Sequence, residues 1–140
     1  MAKQIKFDAD ARQKILAGVE KLSAAQSVPW AVWAGKIKTV VFADRTAPSS
    51  TAYWFSGCSA LEHVYGMSNL DTSAVTDMTS MFCGCSKLKT LDATHLDTAQ
   101  VQAISFMFMG CKALTSLDAS TWDTGQVTNM EYLFAGCAKL

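Results

Sequence analysis

The chain repeats itself in two adjacent stretches, which read FCGCSKLKTLDATHLDTAQVQAISFM at residues 82–107 and FMGCKALTSLDASTWDTGQVTNMEYL at residues 108–133. Earlier and later copies are partial but keep the same landmarks. Counted on the phenylalanines, successive copies are separated by 27, 26 and 26 residues, at Phe55, Phe82, Phe108 and Phe134. A fixed period of this length is typical of architectures in which short units stack on one another.

Each repeat divides into two halves with different periodicity. The runs LKTLDA at 88–93 and LTSLDA at 114–119 alternate as short strands do, and IKTVVF at 37–42 has the same pattern. The other half carries apolar residues at steps of three and four, which predicts a helix. Aspartates that could cap these helices precede them, and glycines suited to a left-handed end follow them. They are Asp71, Asp97 and Asp123, and Gly57, Gly84, Gly110 and Gly136.

One strand and one helix cannot bury their apolar sides alone, so the units are expected to stack. The sequence therefore predicts an α/β fold, a right-handed βα solenoid of leucine-rich-repeat type, over residues 35–140. Its units begin near residues 35, 55, 82 and 108, with a partial unit from 134. Residues 1–34 are predicted to form an N-terminal cap, a strand followed by an amphipathic helix at 8–25.

The repeats resemble a known family. The stretches DTSAVTDMTSMFCGCSKLKTLDA (71–93), DTAQVQAISFMFMGCKALTSLDA (97–119) and DTGQVTNMEYLFAGCAKL (123–140) are similar to the BspA-like repeat of bacterial surface proteins, a relative of the leucine-rich repeat. The resemblance implies a role in adhesion and protein recognition, at the cell surface or after secretion. It brings no catalytic residues. No export signal follows the basic start of this chain, which leaves a cytoplasmic location open.

The N-terminus resembles a different family. MAKQIKFDADARQKILAGVEKL (1–22) is similar to the first strand and helix of a GroEL-like group I chaperonin. The glycine-rich phosphate loop of chaperonins does not follow, so no ATPase residues are implied. In chaperonins this strand pairs with a neighbouring subunit, which makes strand exchange between two copies of this chain a hypothesis.

The charges argue against several classes of partner. Twelve basic and twelve acidic residues balance to a net charge of zero, which removes the usual electrostatic reason to expect a nucleic acid. No uncharged apolar run is long enough to predict a membrane span. Residues 1–60 carry eight basic and four acidic side chains, and 61–140 the reverse. Solvated surfaces explain this asymmetry best, with head-to-tail attraction between molecules as the alternative.

The outward side chains of the predicted strands form the candidate binding surface. Proteins built from stacked units use such a continuous face to bind a partner, here expected to be another protein. The alternative is self-association into a homo-oligomer, through an uncovered last unit or the N-terminal strand. The surface residues are His63, Tyr65, Thr90, Asp92, Ser116 and Asp118.

No set of residues predicts a catalytic or metal centre, and no cofactor is expected. Four of the five cysteines share one position in the repeat, beside phenylalanine and leucine, which favours free and buried thiols. Cys83 and Cys85 lack a second pair at zinc spacing. Neither His63 nor His95 recurs, so a cysteine–histidine nucleophile is not indicated. Asp92 and Asp118 could attract calcium, but a hydrated acidic strip fits two carboxylates better.

Overall fold

A computed structural model of the chain describes the backbone of Lys3–Phe7, together with Val28 and residues 30–140. Most of this part is turn and irregular backbone, with short strands and two 3₁₀ helices. In chain order the elements are β1 (Lys3–Phe7), η1 (Ala31–Lys36), β2 (Ile37–Phe42), β3 (His63–Tyr65), η2 (Met67–Asn69), β4 (Thr90–Leu91) and β5 (Ser116–Leu117). Over these described residues, no helix is long and apolar enough to cross a membrane.

The strands form two small parallel sheets. One has the order β1-β2-β3 and the other consists of β4 and β5. Thr39 lies opposite His63 in the first sheet, and Thr90 lies opposite Ser116 in the second. Isolated parallel bridges continue this pairing between later copies, for example from Ala103 to Asn129. Equivalent positions of successive repeats are therefore neighbours in space.

The predicted α/β fold class is wrong. No α-helix occurs among the described residues, so the helices of the predicted right-handed βα solenoid of leucine-rich-repeat type are missing. The segments predicted as helices contain a residue with left-handed backbone in every copy, which an α-helix excludes. These residues are Tyr53, Ser80, Phe106 and Tyr132, with φ of 63°, 56°, 59° and 53°. The helix predicted at 8–25 lies outside the described residues.

Backbone hydrogen bonding explains why helical spacing produced no helix. The N–H of Phe55 donates to the carbonyl of Met81 in the next copy at 2.8 Å, whereas the N–H of Ser56 donates back to Tyr53 at 3.2 Å. This alternation continues along the segment and recurs in later copies. In an α-helix every such N–H would donate four residues back along its own chain. The apolar steps of three and four here follow consecutive tight turns instead.

The four phenylalanines of the repeat lie in one column. Phe82 is fully buried between Phe55 and Phe108, with ring centroids 5.4 Å and 5.7 Å away. Phe134 stacks on Phe108 at 5.9 Å but is 41% exposed. At the other end Trp30 covers Phe55 at 6.1 Å. The aromatic column is therefore the centre of the described core, and its rings are more buried at Phe55 and Phe82 than at Phe134.

Two glycine positions require left-handed backbone. Gly84 has φ 77° and lies in a column with glycines at each equivalent position, as the sequence predicted. Gly66 has φ 73° and lies just before η2. A Cβ atom on Gly66 would approach the carbonyl oxygen of Phe42 to 2.3 Å. This tight corner is where the longer first repeat fits its additional residue.

The Asp-Thr pairs have two separate roles, and neither is to cap an α-helix. The Asp97 carboxylate accepts the N–H of Ala99 at 3.0 Å, which is an Asx turn. The neighbouring Thr98 is buried, and its hydroxyl donates to the carbonyl of Asp123 in the next copy at 2.9 Å. Thr72 donates to Asp97 in the same way. Aspartate thus shapes the turn, while threonine joins adjacent copies.

Candidate functional site

All six residues of the predicted binding surface are exposed. The strand pairing brings Thr90 and Ser116 side by side, and His63 and Tyr65 lie two residues apart on β3. Residues two apart on a strand point to the same side, because successive side chains alternate. Asp92 and Asp118 follow the ends of β4 and β5. The structure therefore places the predicted residues on the surface along both sheets.

His63 and Tyr65 form a stacked pair on this surface. Their ring centroids are 5.7 Å apart and their planes differ by 16°. Tyr65 remains 54% exposed although one face of its ring is covered. Stacking restricts the rotation of both side chains, so less conformational entropy is lost when a partner contacts them. The pair is the prominent aromatic feature of the strand surface.

The two aspartates of the surface are engaged in local turns. Asp92 accepts the N–H of Thr94 at 3.1 Å and lies 3.4 Å from the Nε2 atom of His95. Asp118 accepts the N–H of Ser120 at 2.9 Å. The side chains of Thr94 and Ser120 also hydrogen-bond to these carboxylates. The side-chain bonds first, and the backbone bonds second, lower the pKa of both carboxyl groups. No cluster of three or more metal-ligating side chains occurs in the part of the chain that the structure describes.

A cleft of about 590 Å³ lies beside the stacked pair. It brings His63 of the first sheet together with Thr90 of the second, so it spans the junction of the two sheets. Two of its lining residues, Lys87 and Lys89, were not among the residues predicted from the sequence. The lining residues are Glu62, His63, Ser86, Lys87, Lys89, Thr90 and Ala113. Tyr65, Asp92, Ser116 and Asp118 are not part of this cleft.

A second, smaller cleft of about 340 Å³ is built around an ion pair. The Arg45 guanidinium bonds to the Asp71 carboxylate, and this bond is the main reason that the pKa of Asp71 lies far below its usual range. His95 and Asp97 also line the cleft. Because Arg45 is already paired, its charge is partly neutralised for any anion that enters.

The cysteines form a hydrogen-bonded column inside the protein. The Sγ atom of Cys85 donates to the carbonyl of Phe55 at 3.2 Å, and that of Cys111 donates to Phe82 at 3.2 Å. All five cysteines are free. Burial raises the pKa of Cys58 to about 11 and that of Cys111 to about 12. A thiol held protonated in this way is a poor nucleophile at neutral pH.

The comparisons with known proteins reach one family. A protein-family description matches residues 49–140, which is more than half of the chain, and it reads "Mycoplasma protein of unknown function, DUF285". The matched region contains β3, β4, β5 and the cleft between the sheets, whereas Arg45 of the second cleft lies outside it. No curated protein and no solved structure matches the chain.

Proposed function

The chain belongs to the family of Mycoplasma proteins of unknown function DUF285, and from this premise we propose that it is a non-catalytic module that recognises another protein. Binding takes place along the exposed strand surface that includes His63 and Tyr65. The resemblance of its repeats to bacterial surface repeats supports the same proposal, with a location at the cell surface or outside the cell.

The observation that carries the proposal is the exposed stack of His63 and Tyr65. Tyrosine is enriched among the residues that dominate protein interfaces, because it offers a large apolar area and a polar end. Here its ring is already oriented by His63 at 5.7 Å. Polar side chains surround the pair along both sheets, as they do at the rim of many interfaces. A rigid aromatic centre with a polar rim suits a protein partner.

The chemistry of the remaining candidates supports binding more than catalysis. The cysteine column is buried and its thiols are held protonated, as the raised pKa of Cys58 and Cys111 indicates. The carboxylates of Asp92 and Asp118 are occupied by turn hydrogen bonds. An enzyme needs a nucleophile or base with an orienting partner beside a space for substrate. The proposal therefore rests on exposed contact area and assigns no residue a catalytic role.

A photo-crosslinking residue in place of Tyr65 tests the proposal. Tyr53, which is 37% exposed on a turn, is the matched control position. We expect the substitution at 65 to capture a specific protein from the native source, and the one at 53 not to do so. Unlabelled wild-type chain should compete for that protein, whereas a Tyr65→Ala chain should compete at least about tenfold less well. Equal capture from both positions, or equal competition by both chains, would refute the strand surface as the binding site.

Self-association is the second candidate, and a different surface favours it. The last repeat exposes Met130, Tyr132, Phe134 and Leu140 by 41% to 63% of their areas. In earlier copies the N–H groups equivalent to those of Tyr132 and Phe134 donate to the next copy. Light scattering over a concentration series tests this candidate. A Tyr132→Glu chain should lose any concentration-dependent mass that the wild type shows, whereas a Tyr65→Ala chain should keep it. A wild type that stays monomeric at every concentration would refute it.

A further inference from the structure

The lysines of the repeats occupy one narrow region of the unit. The six lysines between residues 35 and 140 lie within the four residues before β2, β4 or β5, at the second residue of β2, or at the equivalent position near residue 140, and none lies in the four residues before β3. We call this set the lysine row. It consists of Lys36, Lys38, Lys87, Lys89, Lys112 and Lys139.

Backbone hydrogen bonds align the row across successive copies. The N–H of Glu62 donates to the carbonyl of Lys38 at 2.9 Å, and the N–H of Thr115 donates to that of Lys89 at 3.0 Å. Paired parallel strands lie about 4.8 Å apart. Lys38 and Lys89 occupy the same position two copies apart, so their backbones are separated by about 10 Å in the stacking direction. Glu62 occupies this position in the copy between Lys38 and Lys89, so the row is interrupted there. From Lys87 and Lys89 onward each successive copy contributes a lysine, Lys112 and then Lys139, so this part of the row runs across the strands as a line of cations.

The row is strongly basic although the chain is neutral. All six lysines are exposed, and none belongs to an ion pair between residues that the structure describes. Glu62 is the one acidic residue among the strand-leading positions. The other eight acidic residues after residue 40 lie elsewhere in the units, for example Asp92 and Asp118 after the strands. The net charge of the whole sequence is zero, but the fold places the lysines and most of the acidic residues in different parts of each unit.

We propose that the lysine row binds a linear anionic polysaccharide, whose sulfate or carboxylate groups lie against successive lysines. This site goes beyond the proposed protein recognition and does not depend on it. The cleft between the sheets supplies hydroxyl groups from Ser86 and Thr90 next to Lys87 and Lys89. Hydroxyl and ammonium donors together match the hydroxyl and anionic groups of such a polymer.

The lining of the cleft favours a polysaccharide over other polyanions. Its sole aliphatic side chain is Ala113, so it has no apolar pocket for the side chains of a peptide. His63 contributes the one ring, and that ring stacks on Tyr65, so successive nucleic-acid bases have no stacking platform here. Lysine also acts as a point charge, without the fork by which arginine recognises a single phosphate or carboxylate. Flexible point charges suit repeated anions on a linear chain.

Binding of dextran sulfate to the full chain tests the proposal, with uncharged dextran as the blank. The variant Lys87→Gln/Lys89→Gln removes two charges from the row. The control Gln100→Glu/Gln126→Glu changes the net charge by the same amount at exposed positions in the other half of the unit. We expect the row variant to weaken binding about tenfold and the control to weaken it less than about threefold. Binding of the wild type should also fall as salt is added, because dissolved ions screen the attraction between the lysines and the sulfate groups.

Three results would overturn the proposal. The first is no binding of dextran sulfate to the wild type at low salt. The second is an equal loss in both variants, which would mean that net charge alone controls binding. The third is equal or tighter binding of poly-glutamate, which would identify the partner as an acidic polypeptide. Because the substituted side chains are all exposed, circular dichroism should show each variant folded as the wild type is.

Discussion

Replacing single phenylalanines of the aromatic column by alanine should reveal a gradient of stability that follows burial. Phe82 is fully buried and contacts a ring on each side, whereas Phe134 is 41% exposed and contacts one ring. A buried phenylalanine replaced by alanine costs about 3–5 kcal/mol, and each aromatic pair adds about 0.5–1.5 kcal/mol. We expect a loss near the upper end, about 4–5 kcal/mol, for Phe82→Ala, and about 1–2 kcal/mol for Phe134→Ala.

Urea unfolding of the full chain, followed by tryptophan fluorescence and circular dichroism, measures these losses. If Phe82→Ala does not fold, the pair Phe82→Leu and Phe134→Leu gives the same comparison at a smaller cost. The leucine variants keep most of the apolar volume, so the buried position should lose about 1–2 kcal/mol and the exposed one less than about 0.5 kcal/mol. Equal losses at the two positions, or a larger loss at Phe134, would refute the column as the centre of the core.

Three further substitutions test other features. Gly66→Ala should destabilise the chain by more than about 3 kcal/mol, because of its positive φ and the Phe42 carbonyl that the added Cβ would meet. A Cβ on Gly35 would meet only the Ser59 Oγ atom, at 4.0 Å, so Gly35→Ala should change stability by less than about 1 kcal/mol in urea unfolding. Thr51→Val should raise the free energy of unfolding by about 1 kcal/mol, because the buried Thr51 hydroxyl has no hydrogen-bond partner among the described residues, and an unchanged or lower value would contradict this. Between about pH 9 and about pH 11 the unfolded chain loses thiol protons that Cys58 and Cys111 keep when folded, so stability is full below pH 9 and falls above it. The urea midpoint should therefore fall less over this range in Cys58→Ala/Cys111→Ala than in the wild type, and an identical fall would argue against buried thiols.

The period of the sequence predicted which residues meet but not the backbone that brings them together. Phe55, Phe82, Phe108 and Phe134 line up because equivalent residues of parallel copies are adjacent, and a 26-residue repeat is enough to infer that. Leu91 is buried on a strand, as the alternating pattern indicated. These inferences need only the spacing of like residues.

The helices were predicted wrongly because two backbones share the same apolar spacing. Consecutive tight turns and an α-helix both place side chains three and four residues apart on one side. The two structures differ in the left-handed backbone of residues such as Tyr53 and Phe106. Glycine and asparagine adopt this conformation far more often than aromatic residues do. Hydrogen bonds to the next copy hold these residues there, and a single repeat read in isolation contains no sign of that pairing.

Part of the candidate site was also predicted from the sequence, and part was not. The strand pattern predicted that His63 and Tyr65 share a side, and the structure places them in contact. It did not identify Lys87 and Lys89, because the charges were summed over the two halves of the chain. The signal was present at β4 and β5, where lysine precedes the strand and aspartate follows it. Aligning charges by repeat position would have found the lysine row.

The cysteine column also provides an intrinsic spectroscopic probe. Because the S–H group of Cys85 donates to a carbonyl of the preceding copy, its vibrational frequency depends on how closely those two copies approach. Cys111 and Cys137 report on the next two contacts in the same way. Infrared spectra of chains that retain one thiol each could therefore follow the separation of neighbouring copies one by one, without any attached label.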